Sequence, residues 1–142
     1  MLNRVCAVLA QWVLGLRYRV RVVGMKEVAT KGSRGILFLA NHPALIDPPI
    51  LCSRLVPGFA VRPLANEEGL RRPGIGVLAR RMRTIPVPRM ETAEGADSER
   101  TEDSLVRVQE ALRAGENVLL YPAGRIYRSR REECQGNSAV ER

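Results

Sequence analysis

The chain is 142 residues long, with 45% hydrophobic residues, 27% charged residues and a formal net charge of +8. This length allows one domain with a real hydrophobic core, and the composition excludes a disordered chain. Aromatic residues make up only 4% of the chain, too few for a stacking platform that binds single-stranded nucleic acid. Its three cysteines match neither a disulfide framework nor a zinc site, which indicates a reducing compartment.

Almost all of the positive charge is arginine, because Lys26 and Lys31 are the only lysines. Arginine makes forked contacts with phosphate and carboxylate groups, so anionic partners are one explanation. A GC-rich genome, which favours arginine codons, is the other. Residues 62–89 hold seven arginines, whereas residues 91–103 hold six acids. A basic surface formed by the first of these regions would suit lipid headgroups or a phosphate-bearing substrate.

The first element in the chain is an apolar segment at residues 5–16, which is too short to cross a bilayer because that needs about 20 residues. Flanking Arg4 and Arg17, with Trp12 inside, suit a helix that lies at a membrane surface. A helix packed in the protein core is the alternative, and a signal peptide is a weaker match. We interpret residues 1–16 as an N-terminal amphipathic or interfacial helix.

Several strands are predicted in the remaining domain, residues 17–142. Strict alternation of arginine with apolar residues predicts a half-buried strand at 17–22. The wholly apolar runs at 36–40 and 118–121 predict strands that are covered on both faces. Two further strands are predicted, at 58–64 and at 83–88, and the prolines of the second favour an edge position.

Helical patterns lie between these strands. A short helix is predicted at 48–55, with prolines near its start. The next helical region is interrupted by Pro73 and Gly74. Apolar residues at helical spacing predict a helix over 99–114, and Gly115 is well placed to end it.

Alternating strands and helices indicate an α/β domain in which a layered, mixed sheet is flanked by helices. The two most apolar strands, 36–40 and 118–121, each run directly into an unusual loop. Ligand sites in such folds lie beyond the carboxyl ends of the strands. We therefore expect both loops to serve one site.

The first of these loops contains His42, the only histidine, followed five residues later by Asp47. An imidazole can take a proton from a hydroxyl group at neutral pH, and a carboxylate on its other nitrogen fixes the tautomer. The alternative is structural: Asp47 caps a helix that starts at Pro48, and His42 fills a turn. The local sequence leaves both interpretations open.

Three segments together resemble the glycerolipid and lysophospholipid acyltransferase family, the 1-acylglycerol-3-phosphate acyltransferase group. "NHPALIDP" (41–48) resembles the family's N-H-x4-D motif, "MRTIPVPR" (82–89) its second block, and "LLYPAGRIYRS" (119–129) its third block. The blocks occur in the family's order, and the resemblance extends from about residue 17 to 130. Three blocks in the family's order indicate the family more specifically than any single block does.

The resemblance implies a glycerol-3-phosphate acyltransferase-like fold and an O-acyltransferase activity. His42 would act as the general base on the acceptor hydroxyl, and Asp47 would orient and charge-balance its ring. The acyl donor would be acyl-CoA or an acyl carrier protein thioester, and the acceptor a lysophospholipid or glycerol phosphate. The resemblance implies no metal and no resident cofactor. The expected location is peripheral, on the cytoplasmic face of a membrane, and no nucleic-acid partner is expected.

The same resemblance implies five substrate-binding residues. Asn41 belongs to the first block, and Arg89 takes the place of the arginine that contacts the acceptor phosphate in the second. Gly124, Arg125 and Arg128 belong to the third block.

The sequence departs from the family pattern in two ways. Ala123 stands where the family has glutamate and Arg125 where it usually has threonine, so this corner is more positive. A different acceptor headgroup is one interpretation, and a phosphate held by Arg125 and Arg128 is the other. No equivalent of the family's fourth block follows the third, so we expect the front part of an acyltransferase domain. A longer parent protein with fused domains is one interpretation. Another is a truncated or degenerate chain that binds anionic lipid without turnover.

Overall fold

The structure is a computed structural model that describes residues 2–42, 44–88 and 96–122. Within these ranges it contains six helices and four strands. The helices are α1 (Leu2–Gly15), α2 (Met25–Lys31), α3 (Asp47–Phe59), α4 (Glu67–Leu70), α5 (Ile75–Arg81) and α6 (Ala96–Arg113). The strands are β1 (Leu37–Leu39), β2 (Arg62–Asn66), β3 (Ile85–Val87) and β4 (Val118–Leu120).

The four strands form one sheet in the order β1-β4-β2-β3. All three pairings among them are parallel, and the register aligns Leu39 of β1 with Leu120 of β4. Each connection between consecutive strands contains a helix, as parallel strands require. The predicted α/β class is therefore confirmed, but the described part of the sheet is parallel and not mixed.

Helices cover both faces of the sheet. On one face, α1 and α3 enclose a cluster that includes Ala7, Leu55, Phe59 and Leu119. On the other face, α6 packs over a second cluster, which contains the buried residues Leu64, Ile85, Val108, Ala111 and Val118. The alternating residues of β4 contribute to both clusters, so this strand is the centre of a three-layer domain.

The prediction that 36–40 is covered on both faces is wrong. β1 lies at the edge of the described sheet, and Leu37 and Leu39 are 40% and 52% exposed on the same face as Val118 and Leu120. The matching prediction for 118–121 is confirmed, because Val118 and Leu119 of the inner strand β4 are both 0% exposed. An apolar run alone does not distinguish an inner strand from an edge strand.

The predicted strand at 17–22 is also wrong. Residues 18–23 form neither a strand nor a helix, and Val22 and Val23 are exposed. Alternation gives a segment two different faces, but a strand also needs a neighbour that accepts its backbone hydrogen bonds. Among the described strands, none pairs with this segment.

Most other predicted elements are confirmed, with shifted ends. The helix predicted at 48–55 is α3, which extends to Phe59, so strand β2 begins at Arg62 instead of residue 58. The predicted break at Pro73 and Gly74 separates α4 from α5. β3 is an edge strand, and Gly115 follows α6 with the positive φ of 77° that favours glycine.

The N-terminal segment forms the helix α1, whose two faces differ. Ala7 is buried against α3, and the Gln11 side-chain amide donates a hydrogen bond to the Ser53 carbonyl at 2.5 Å. The outward face carries large apolar residues, with Trp12 75% exposed and Leu16 89% exposed. In the described part of the chain, no helix combines the length and the apolar character needed to cross a membrane.

Candidate active site

His42 and Asp47 lie together where β1 ends and α3 begins. The His42 Nδ1 atom is 3.3 Å from the Asp47 Oδ2 atom. The same carboxylate oxygen accepts the Ala44 backbone N–H at 2.7 Å, and the Asp47 N–H donates to the Ala44 carbonyl at 3.1 Å. Asp47 therefore folds the chain back on itself, and this tight turn brings its carboxylate to the imidazole.

The capping alternative does not describe this arrangement. α3 begins at Asp47 itself, its N-cap residue is Ile46, and no side chain caps the first turn. The Asp47 carboxylate is directed instead towards the preceding turn and towards His42. The two side chains are 16% and 20% exposed, so each is partly shielded from water while the site remains open.

Tyr121 packs against the imidazole from the neighbouring strand. Its ring centroid is 4.5 Å from that of His42, with an angle of 33° between the rings. Burial raises the pKa of the Tyr121 hydroxyl, and the negative charge of Asp47 raises it further, so the group stays protonated. This hydroxyl is buried, and no residue in the described ranges forms a hydrogen bond with it.

The sequence analysis did not identify Tyr121, although a usable signal was present. The residue directly follows β4, and β4 is the parallel neighbour of β1. Carboxyl ends of adjacent parallel strands meet at one edge of a sheet. That rule, applied to the last residue of the run 118–121, places Tyr121 near the loop of His42 once β1 and β4 are known to be neighbours.

A cavity of about 470 Å³ opens beside His42, at the carboxyl ends of β2, β3 and β4. This volume is within the range of sites that bind small molecules. Most of its lining is aliphatic side chains and proline rings, and α4 and α5 form one wall. That wall contributes Gly69, Leu70, Ile75, Leu78 and Ala79. The cavity can therefore accept a hydrocarbon chain next to the imidazole.

Cys52 also lines this cavity, on the second turn of α3. Burial raises the pKa of its thiol to about 12. A thiol is a useful nucleophile only as the thiolate, which Cys52 does not form at neutral pH. Its contribution to the site is therefore apolar surface.

The predicted substrate-binding residues have different outcomes. Asn41 lies next to His42 with an exposed side chain and does not line the cavity, so its role stays a prediction. Arg89, Gly124, Arg125 and Arg128 lie outside the described residues, as does Ala123. Among the described residues, no group of three or more His, Cys, Asp or Glu side chains could hold a metal ion.

The profile of the family described as "Acyltransferase" matches residues 19–139. The chain belongs to the Acyltransferase family. This match confirms the predicted family and supports acyl transfer as the general function. Neither a comparison with curated proteins nor one with solved structures gave a match.

The family match extends well beyond the described part of the site. It includes the three sequence blocks and therefore the positions of Arg89, Gly124, Arg125 and Arg128. For an acyltransferase, the described geometry supplies two recognisable parts: an imidazole held by a carboxylate, and an apolar cavity beside it.

Proposed function

We propose that the protein transfers a fatty acyl group from an acyl thioester to the hydroxyl group of a lysophospholipid or glycerol phosphate. The observation that carries this proposal is the His42–Asp47 pair at the wall of an apolar cavity, in a member of the Acyltransferase family. His42 is the general base, and Asp47 orients the ring.

The proton path follows from the contact between the two side chains. We assign the Nδ1 proton of His42 to the contact with Asp47, which makes Nε2 the atom that takes the acceptor's proton. As the O–H bond breaks, the acceptor oxygen attacks the thioester carbonyl carbon and forms a tetrahedral intermediate. The C–S bond then breaks, and the leaving thiolate takes the proton from the imidazolium. The Asp47 carboxylate stabilises that imidazolium between the two steps.

The cavity gives the acyl chain a place beside the reacting atoms. Burying an aliphatic chain against its lining contributes about 0.8 kcal/mol per methylene group. We propose acyl-CoA or an acyl carrier protein thioester as the donor, acting as a co-substrate with no resident cofactor.

We further propose that the protein works at a membrane surface, on the cytoplasmic face. The outward face of α1 supports this proposal, because its exposed apolar residues lie beside basic ones at both ends of the helix. Apolar residues that contact the acyl region and arginines that contact anionic headgroups are the usual composition of an interfacial helix. The exposed residues are Val5, Val8, Leu9, Trp12, Val13 and Leu16, and the flanking arginines are Arg4 and Arg17.

The decisive test is His42→Ala, assayed with labelled acyl-CoA and lysophosphatidate in detergent micelles. We expect a loss of about 10²- to 10⁴-fold in kcat, because that is the usual contribution of a positioned base. Gln109→Ala, on the exposed face of α6, is the control and should keep full activity. Full activity in a folded His42→Ala protein would overturn the assignment of the base.

A second candidate function is lipid binding without turnover, which Ala123 favours because it replaces a carboxylate that the family carries in its third block. The same assay separates the two functions. Retention of labelled lysophosphatidate on the protein, with no acylated product from the unaltered chain, would support binding alone.

A further inference from the structure

We propose that Arg72 binds a phosphate group of the substrate at the mouth of the apolar cavity. This inference rests on the proposed function and adds a specific recognition residue to it. Arg72 lies outside the three sequence blocks that resemble the family. It lines the same cavity as His42, and it is the only lysine or arginine among the described residues that do so.

The connection between α4 and α5 holds Arg72 in this position. The Arg72 carbonyl accepts the Ile75 N–H at 3.2 Å, and Pro73 and Gly74 complete the turn. Helices α4 and α5 approach each other closely on either side of this turn. A Cβ atom added to Gly76 of α5 would lie only 3.0 Å from the Leu70 carbonyl oxygen of α4. The arginine is therefore attached to a short turn between two helices that approach each other closely, and its own side chain is exposed at the mouth of the cavity.

Among the described residues, none neutralises the positive charge of Arg72, because its guanidinium forms no ion pair and no hydrogen bond with them. Glu67, on α4, pairs with a different arginine: Arg100 Nη2 donates to both of its carboxylate oxygens at 2.7 and 2.6 Å. An arginine fork of this kind has the geometry and charge to bind a phosphate.

The surroundings of Arg72 suit an amphiphile. Ile75 and Leu78, on the first turn of α5, are exposed at the cavity wall, and exposed Leu45 lies on the side of the His42 loop. A molecule whose chain enters between these residues can keep its phosphate at the guanidinium. Both proposed substrates carry phosphate: the lysophospholipid acceptor has a headgroup phosphate, and acyl-CoA has the phosphates of its carrier.

The test compares Arg72→Ala with Arg71→Ala, an equal change of charge at an exposed neighbour that does not line the cavity. Binding is measured by titration calorimetry, so the result does not depend on turnover. The acceptor arm uses a short-chain lysophosphatidate and the monoacylglycerol with the same chain. The donor arm uses an acyl-CoA and the matching acyl-N-acetylcysteamine thioester, which has no phosphate.

We expect Arg72→Ala to weaken binding of one phosphate-bearing ligand by about tenfold or more, the usual contribution of a hydrogen bond to a charged group. Its phosphate-free partner should bind as before, and Arg71→Ala should have little effect. A loss confined to lysophosphatidate assigns Arg72 to the acceptor, and a loss confined to acyl-CoA assigns it to the donor. Arg72→Lys should recover part of the lost affinity.

Two outcomes would overturn the proposal. One is an equal loss for ligands with and without phosphate, since the side chain would then only shape the cavity. The other is an equal effect of Arg71→Ala and Arg72→Ala, which would indicate a general surface charge. Failure of the proposed acyl transfer is distinguished from failure of the Arg72 proposal by a separate assay. In that assay, the unaltered protein would form no acylated product.

Discussion

The two ends of the parallel sheet are built in opposite ways. Where the strands begin, Glu116 accepts hydrogen bonds from the guanidinium groups of both Arg62 and Arg83, and Arg62 Nε donates to the Arg83 carbonyl at 2.9 Å. The buried side chain of Asn117 donates to the carbonyls of Ser33 and Phe59 and accepts the Ile36 N–H at 3.0 Å. These polar groups are paired within the protein.

Where the strands end, polar groups face a cavity or have no protein partner in the described ranges. His42 and Arg72 line the cavity, and the buried Tyr121 hydroxyl forms no hydrogen bond with described residues. Buried polar groups are normally paired, and exceptions concentrate at functional sites. The beginning of the sheet therefore stabilises the fold, and we infer that its end is arranged for a ligand.

Asp47→Asn, at the end of the sheet, is expected to have the largest effect of these substitutions, a loss of acyl-transfer activity. The side-chain amide oxygen can still accept the Ala44 N–H, so the turn is kept, but the negative charge beside His42 is lost. We expect kcat for acyl transfer to fall by about 10²-fold or more, with little change in melting temperature. Asp103→Asn, exposed on α6, removes the same charge and should leave kcat unchanged. Equal activity in the two variants would show that Asp47 has no role in orienting the base.

Asn117→Ala should have the largest effect at the beginning of the sheet. The substitution removes three hydrogen bonds and leaves three backbone groups, those of Ser33, Ile36 and Phe59, without their partner. We expect the free energy of unfolding, measured with urea, to fall by about 3 kcal/mol. Exposed Asn41→Ala is the stability control, expected to change it by less than about 0.5 kcal/mol. A similarly small change for Asn117→Ala would mean that other contacts hold the segments to which Asn117 forms its hydrogen bonds.

Glu116→Gln should give a smaller, pH-dependent effect. Its hydrogen bond from Arg62, followed by the contributions of Arg83, lowers the pKa of the Glu116 carboxyl below its ordinary value of 4.5. The stabilisation is therefore fully present above pH 4.5 and is lost as the pH falls through the lowered pKa. We expect a difference of about 1 kcal/mol from the unaltered protein at pH 7, which shrinks in acid. Glu110→Gln on α6 is the control, and a difference that does not change with pH would contradict the assignment.

The smallest effect is expected from Tyr121→Phe. The variant keeps the ring that packs on His42 and removes only a buried hydroxyl with no hydrogen bond to described residues. We expect the free energy of unfolding to stay the same or rise by up to about 1 kcal/mol, because an unpaired buried hydroxyl is unfavourable. Calorimetric melting measures this change. A loss of more than 1 kcal/mol would mean that the hydroxyl has a stabilising partner.

The sequence predicted the parts of the site that depend on neighbouring residues. His42 and Asp47 are five positions apart, so a single turn decides their contact, and their types indicated the chemistry. Tyr121 was not identified, because its place beside His42 depends on the register between β1 and β4, which are distant in sequence. Arg72 lies in a short turn between neighbouring helices, but the place of that turn at the cavity depends on the packing of α4 against β2 and β3. The local pattern around each residue does not encode this packing.

The same limit explains the two wrong strand predictions. The segments 36–40 and 118–121 are equally apolar, but among the described strands only the second segment has a neighbour on both sides. The segment 17–22 has the alternation of a strand and no pairing partner among the described strands. The hydrophobic pattern of a segment predicts which of its residues are buried. The order of the strands in the sheet depends instead on contacts between segments that are distant in the chain.

The strand order also determines when the domain can fold during synthesis. β4 is the last strand described, yet it lies between β1 and β2, which do not pair with each other. Asn117, just before β4, ties together segments 58 to 84 residues earlier in the chain. The edge formed by β1 therefore has no partner until the ribosome has released residues 118–120. Such long-range pairing makes folding slow, so we expect the apolar residues of β1 to stay exposed on a nascent chain until its final described strand emerges.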